Sequence, residues 1–127
     1  MNVKTMITGL ALSLLLSSGA ANADWGDVYY CQMTNNYKIT PEAEMEHYKL
    51  QKFQFKLDQT KNAMVFGSTG YFAELVIELT TGMNHPDLEL WYAKSRSSIA
   101  FFERGKFFYS SVLPLGIKSL SAYCDKF

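Results

Sequence analysis

The chain has 127 residues, in which twelve Lys and Arg balance twelve Asp and Glu, so nothing electrostatic recommends it for DNA, RNA or an anionic lipid surface. Aromatic residues make up 15% of it, led by nine Phe and eight Tyr, a composition that suits a β core. A chain of this length has room for one compact domain and not for two.

At the N-terminus a single cation, Lys4, precedes an apolar run over residues 6–16 and a small-residue stretch ending Ala21-Asn22-Ala23. That order is the n-region, h-region and cleavage site of a secretory signal peptide, so residues 1–23 read as a leader and 24–127 as the mature domain. The apolar run is about half of the roughly 20 residues that a membrane-crossing helix needs, and no later window is continuously apolar. The first cysteine, Cys31, lies too far downstream to carry a lipid anchor. The product is therefore expected to be soluble and periplasmic or secreted, with no membrane span and no nucleic-acid partner.

Cys31 and Cys124 are the two cysteines, and in an oxidising compartment they are expected to pair. Closing so long a loop contributes roughly 4 kcal/mol in the chain-entropy picture. Bridged Cα atoms sit about 5.5 Å apart, so the first and last strands must be neighbours. Those two strands are expected to fray first on reduction. Neither a CxxC spacing nor companion histidines supports a redox pair or metal thiolates, and no cofactor is expected.

Between the cysteines, apolar alternation and turn chemistry mark the elements in order. Residues 28–33 form a first strand with Tyr29, Cys31 and Met33 on one face. Thr40-Pro41-Glu42 then has the order of an N-cap, a proline at the first helical position and an acid in the first turn, which predicts a short helix near residues 41–47. Phe53, Phe55 and Leu57 alternate with Lys52, Gln54, Lys56 and Asp58 in the next strand. A hairpin loop at 59–62 would set Leu57 across from Met64 and Phe55 across from Phe66. Residues 71–80 read as a strand with Tyr71, Ala73, Leu75, Ile77 and Leu79 inward, followed by a loop over 81–87 and a strand from Leu88 to Ala93. Arg104-Gly105 fits a two-residue hairpin that pairs Glu103 with Lys106, Phe102 with Phe107 and Phe101 with Phe108. A last strand over 117–125 puts Leu120, Ala122 and Cys124 on one face. Eight strands in sequence with their ends tied predict an all-β fold, a small antiparallel up-and-down meander closing into a barrel, with a β-sandwich as the alternative.

No residue set carries a recognisable chemistry. His47 and His85 lack a nucleophile turn, and Glu42, Glu44, Glu46 and His47 crowd one segment without metal-ligand spacing. Glu74 and Glu78 are too far apart along a strand for a glycosidase pair. Lys49, Lys52, Lys56 and Lys61 interleave with Phe53 and Phe55, but alternation puts Lys52 and Lys56 on the face opposite the rings, so they make no base-stacking platform. One feature resists a purely structural account: the hairpin over 99–109 is aromatic on both faces, with Phe101 and Phe108 on one and Phe102, Phe107 and Tyr109 on the other. These five residues form the candidate interaction patch, for an unknown protein or small-molecule ligand or for self-association.

The ending Ser119-Leu120-Ser121-Ala122-Tyr123-Cys124-Asp125-Lys126-Phe127, with Tyr30-Cys31 early in the mature chain, is similar to small exported proteins of unknown function from marine bacteria and phages. That resemblance implies a disulfide frame and no particular activity. The expected function is an exported non-enzymatic binding or interaction domain; the alternatives are a small periplasmic enzyme of hydrolase type and a miniature outer-membrane barrel.

Overall fold

The computed structural model describes residues 23–80, 90–114 and 116–127. The signal-peptide reading thus falls almost wholly outside the described residues, as do the loop over 81–87, His85 and the start of the strand expected from Leu88. Among the described residues there are nine strands: β1 (Val28–Ile39), β2 (Met45–His47), β3 (Lys52–Asp58), β4 (Ala63–Phe66), β5 (Val76–Glu78), β6 (Leu90–Lys94), β7 (Ser98–Glu103), β8 (Lys106–Leu113) and β9 (Gly116–Lys126). All pairings are antiparallel, in the order β5-β4-β3-β1-β9-β8-β7-β6, with β2 added to the side of β1. One bridge, Leu79 to Ala93, and the Thr80 N–H donating to the Tyr92 carbonyl at 2.9 Å bring the two outer strands together, so the meander is nearly closed into a barrel.

The local signals decide the register where they are strongest. Phe55 faces Phe66 and Leu57 faces Met64, while Glu103, Phe102 and Phe101 face Lys106, Phe107 and Phe108. The latter hairpin turns on Arg104 and Gly105, at φ 49° and 81°, the paired positive angles whose twist matches that of the flanking strands. Cys31 and Cys124 lie directly opposite one another in the β1–β9 ladder and are bonded.

The helix expected near residues 41–47 is not there. Thr40 to Glu44 make a tight turn: the Ala43 N–H donates to the Thr40 carbonyl at 2.8 Å, the Thr40 N–H to the Glu44 carbonyl at 2.8 Å, and Ala43 takes a left-handed φ of 67°. Met45, Glu46 and His47 then return along β1 opposite Ile39, Lys38 and Tyr37. Proline's fixed φ suits the second position of such a turn as well as the first turn of a helix, so the sequence signal serves both. Length decides between them, because seven residues cannot sustain a helix unaided, whereas β1 beyond Gln32 has a free edge that β3 does not reach.

The strand expected over 71–80 is also shorter. Tyr71 to Glu74 form turns, with the Tyr71 N–H donating to the Lys52 carbonyl at 3.1 Å, and regular pairing begins at Val76. The loop drops Phe72, not Ala73, into the core, where it meets Phe66 at 4.8 Å and Phe53 at 5.0 Å between centroids. Burying a phenylalanine removes far more apolar surface from water than burying an alanine, so the alternation yields to volume.

Inside the barrel, rings fill one end. Phe55 contacts Tyr29, Phe66, Phe102 and Phe107 at centroid distances of 5.5, 5.6, 5.1 and 5.6 Å, and Trp91 and Met64 are fully buried beside them. Closure at the other end depends on a glycine. A Cβ on Gly116, at φ 137°, would lie 2.3 Å from the Ile39 carbonyl oxygen where β9 starts against β1. Gly116→Ala is therefore expected to cost about 1–3 kcal/mol, read as a lowered midpoint in thermal unfolding. A midpoint unchanged within error would show that β9 begins elsewhere.

Candidate functional site

The inward residues of β1 are Tyr29, Cys31 and Met33 as far as a bulge at Thr34-Asn35, and Asn36 and Lys38 beyond it. The extra residue reverses the alternation. Tyr37 and Ile39, which an unbroken strand would have turned inward, face out, and Lys38 faces the lumen.

On β9 the face that carries Leu120, Ala122 and Cys124 also carries Lys118, and the register sets it between Lys38 on β1 and Ser111 on β8. Lys118 is 6% exposed, and it, Ser111 and Asn36 are the buried polar residues among those described. All three sit at the end of the barrel opposite the Phe55 cluster. Around Lys118 and Ser111 the structure opens into a cavity of about 530 Å³, lined also by Lys38, walled by Tyr48, Tyr71 and Tyr109 and floored by Phe72.

The electrostatics of this mouth are unbalanced. The Lys118 ammonium lies 3.9 Å from the Tyr48 ring centroid and 5.5 Å from that of Tyr71, a cation held by ring faces instead of a carboxylate. Burial holds its pKa below the ordinary lysine value, and the charge of Lys38 adds to the effect. Among the described residues the ion pairs are Arg104 with Glu103 and Lys126 with Asp27, neither of them here. Glu46 stands opposite Lys38 in the β1–β2 register, yet its carboxylate accepts a hydrogen bond from the Tyr48 hydroxyl at 3.0 Å. That bond is also the first cause of a raised Tyr48 pKa, while burial leads in raising that of Tyr71.

The aromatic hairpin divides as closure requires. Phe102 and Phe107, at 1% and 0% exposure, belong to the core and form no surface patch, while Tyr109, half-buried, turns inward to meet Phe72 at 4.8 Å and wall the mouth. Phe101 and Phe108 face out with Tyr92 and Ile99, bordering an open groove of about 710 Å³. The groove is larger than the mouth, but its polar floor is satisfied from within. Ser110 and Ser119 bond one another, and Ser121 takes contacts of 2.8 Å from both Thr34 and Asn35.

Known families, curated proteins and solved structures provide no match for this chain. Its site has to be read from its own residues.

The other candidates from sequence do not converge. His47 is exposed on β2, and Glu42, Glu44 and Glu46 are exposed around the preceding turn. Glu74 lies in a turn and Glu78 on β5, both exposed. Lys49, Lys52, Lys56 and Lys61 are exposed as well, away from Phe53 and Phe55, as alternation requires. No group of three or more His, Cys, Asp or Glu that could hold a metal occurs among the described residues. The mouth itself was missed in the sequence, although Lys118 shares its period-two face with Leu120, Ala122 and Cys124 and breaks that apolar row.

Proposed function

We propose that this protein is an exported, non-enzymatic binding domain that receives a small ligand in the mouth formed by Lys38, Lys118 and the three tyrosines. One observation carries the reading: a buried lysine faces a second lysine across the ladder, in a cavity, without an ion-pair partner among the described residues. Like charges set directly opposite one another destabilise a sheet, and an unpaired buried charge costs more still. A position under selection for stability alone would be filled with an apolar side chain. Few convergent polar groups in a concave, largely aromatic opening are the usual make-up of a small-molecule site.

Two features support export. The disulfide suits an oxidising compartment. The Asp24 N–H donates to Asp27 Oδ2 at 2.8 Å, and Lys126 Nζ lies 3.2 Å from the same oxygen. Cleavage after Ala23 would turn that amide nitrogen into the α-ammonium, strengthening the contact with Asp27. Against hydrolysis, the described residues lining the mouth include no carboxylate or imidazole to orient a base. Against a membrane barrel, the outward positions carry exposed Lys52, Lys56, Lys94, Lys106 and Asp125 while the interior is aromatic, the reverse of a lipid-facing surface around a polar lumen.

A fragment screen on the 15N-labelled mature protein tests this. Hits are expected to shift the amides of Lys38, Tyr48, Tyr71, Ser111 and Lys118, with the shifts lost in Lys118→Ala. Shifts confined to the Phe101 and Phe108 face would move the site to the outer groove.

A further inference from the structure

The mouth has a chemical preference written into it, and the inference rests on the reading of the mouth as the binding site. We propose that it takes a small organic oxyanion, the anionic group between the Lys38 and Lys118 ammoniums and a flat apolar body against the tyrosines.

Three independent placements converge on this. The β1 bulge turns Lys38 inward at the one level where β9 already presents Lys118, so the two cations are brought together by an irregularity that regular pairing would not produce. Bulges recur beside functional sites because they re-aim a side chain in this way. Next, Ser111 is buried on the far side of Lys118 in the β8–β9 register, which puts a hydroxyl donor in the same cross-strand row as the two lysines. Finally, Tyr48, Tyr71 and Tyr109 supply ring surface, and Tyr48 comes from the exposed segment after β2, held by its N–H to the Asn36 carbonyl at 2.7 Å. The Tyr48 ring now lies over Lys118, so a ligand's anion would replace a cation–π contact with a charge-assisted one, which is the stronger of the two.

The same geometry excludes the opposite choice. A cation would meet two lysines, and a neutral ligand would leave both charges unpaired in a partly desolvated site. Glu46, the one carboxylate nearby in register, is engaged by the Tyr48 hydroxyl and does not neutralise Lys38. Its negative charge opposes the proposed ligand, so removing it should strengthen binding.

The experiment is a titration of the mature, oxidised protein with benzoate, phenyl phosphate and benzamide, followed by amide shifts and by thermal midpoint. Benzoate and phenyl phosphate should shift Lys38, Tyr48, Ser111 and Lys118, and benzamide should bind at least about tenfold more weakly, the scale of a hydrogen bond to a charged group. The relative strength of the two anions tells a carboxylate site from a phosphate site. Lys118→Met should lose at least about tenfold in benzoate affinity while raising the ligand-free midpoint by about 4–8 °C, because it replaces a buried unpaired charge with an apolar side chain. Lys38→Met should lose affinity in the same direction, and Glu46→Gln should gain it. Benzamide bound at the mouth as tightly as benzoate would overturn the oxyanion inference and leave the mouth as a binding site. Anion shifts confined to Phe101 and Phe108 would overturn both. A Lys118→Met protein that melts lower and binds benzoate unchanged would show the lysine to be structural, and the inference would fall.

Discussion

Reducing the Cys31–Cys124 bond is expected to lower stability by about 2–5 kcal/mol, a shift of about 10 °C or more in the thermal midpoint of a domain this size. The bond closes a sequence separation of 93 residues, so its absence restores a great deal of freedom to the unfolded chain. The terminal strands, however, are not where the reduced protein should open. β1 and β9 are the middle of the sheet, paired with each other over ten residue pairs from Tyr29 with Lys126 to Ile39 with Ile117, and each has a further strand on its other side. The expectation from sequence that these two strands fray first rests on the bond joining them, and the continuous ladder between them argues against it. The weak seam lies between β5 and β6, joined by the Leu79 to Ala93 bridge and the Thr80 to Tyr92 hydrogen bond. Hydrogen exchange on the reduced protein should therefore show Thr80, whose N–H crosses the seam to the Tyr92 carbonyl, losing protection before Gln32 and Tyr123, which pair across β1 and β9. Early exchange at Gln32 and Tyr123 would mean that the bridge, not the ladder, holds β1 to β9.

How far the fold could be read from the sequence depends on whether each signal was local. The Phe55 to Phe66 and Glu103 to Lys106 registers follow from short loops between alternating strands, and the disulfide from there being two cysteines to pair, so all three were legible. Barrel closure followed from the disulfide joining the ends of a meander. The bulge at Thr34-Asn35 left little mark, since neither residue is a glycine and the apolar row of Tyr29, Cys31 and Met33 resumes at Tyr37 and Ile39 after a single polar interruption at Asn35. Ala43 occupies a left-handed position that glycine or asparagine would have announced. These two silent irregularities conceal the mouth: the bulge decides that Lys38 faces inward, and the Ala43 turn places β2 and the following Tyr48 beside it. Lys118 alone was open to sequence reasoning, as a charge in an apolar row.

The hairpin at β7 and β8 permits the sharpest test of the barrel itself, because two neighbouring phenylalanines on β8 face opposite ways. Phe107 is 0% exposed and stands 5.0 Å from Phe53, 5.6 Å from Phe55 and 6.0 Å from Phe66 between ring centroids. Phe107→Ala removes a ring from the centre of a close-packed interior and leaves a cavity that the strands cannot collapse to fill, at a cost of about 3–5 kcal/mol. Phe108 is 46% exposed on the outer groove, so Phe108→Ala should cost about 1 kcal/mol or less. Urea unfolding of the two variants under oxidising conditions reads the difference directly as a separation of their midpoints. Equal losses would mean that the Phe108 face is also covered, which the described residues do not do, and the concentration dependence of the Phe108→Ala midpoint would tell whether a second copy supplies the cover.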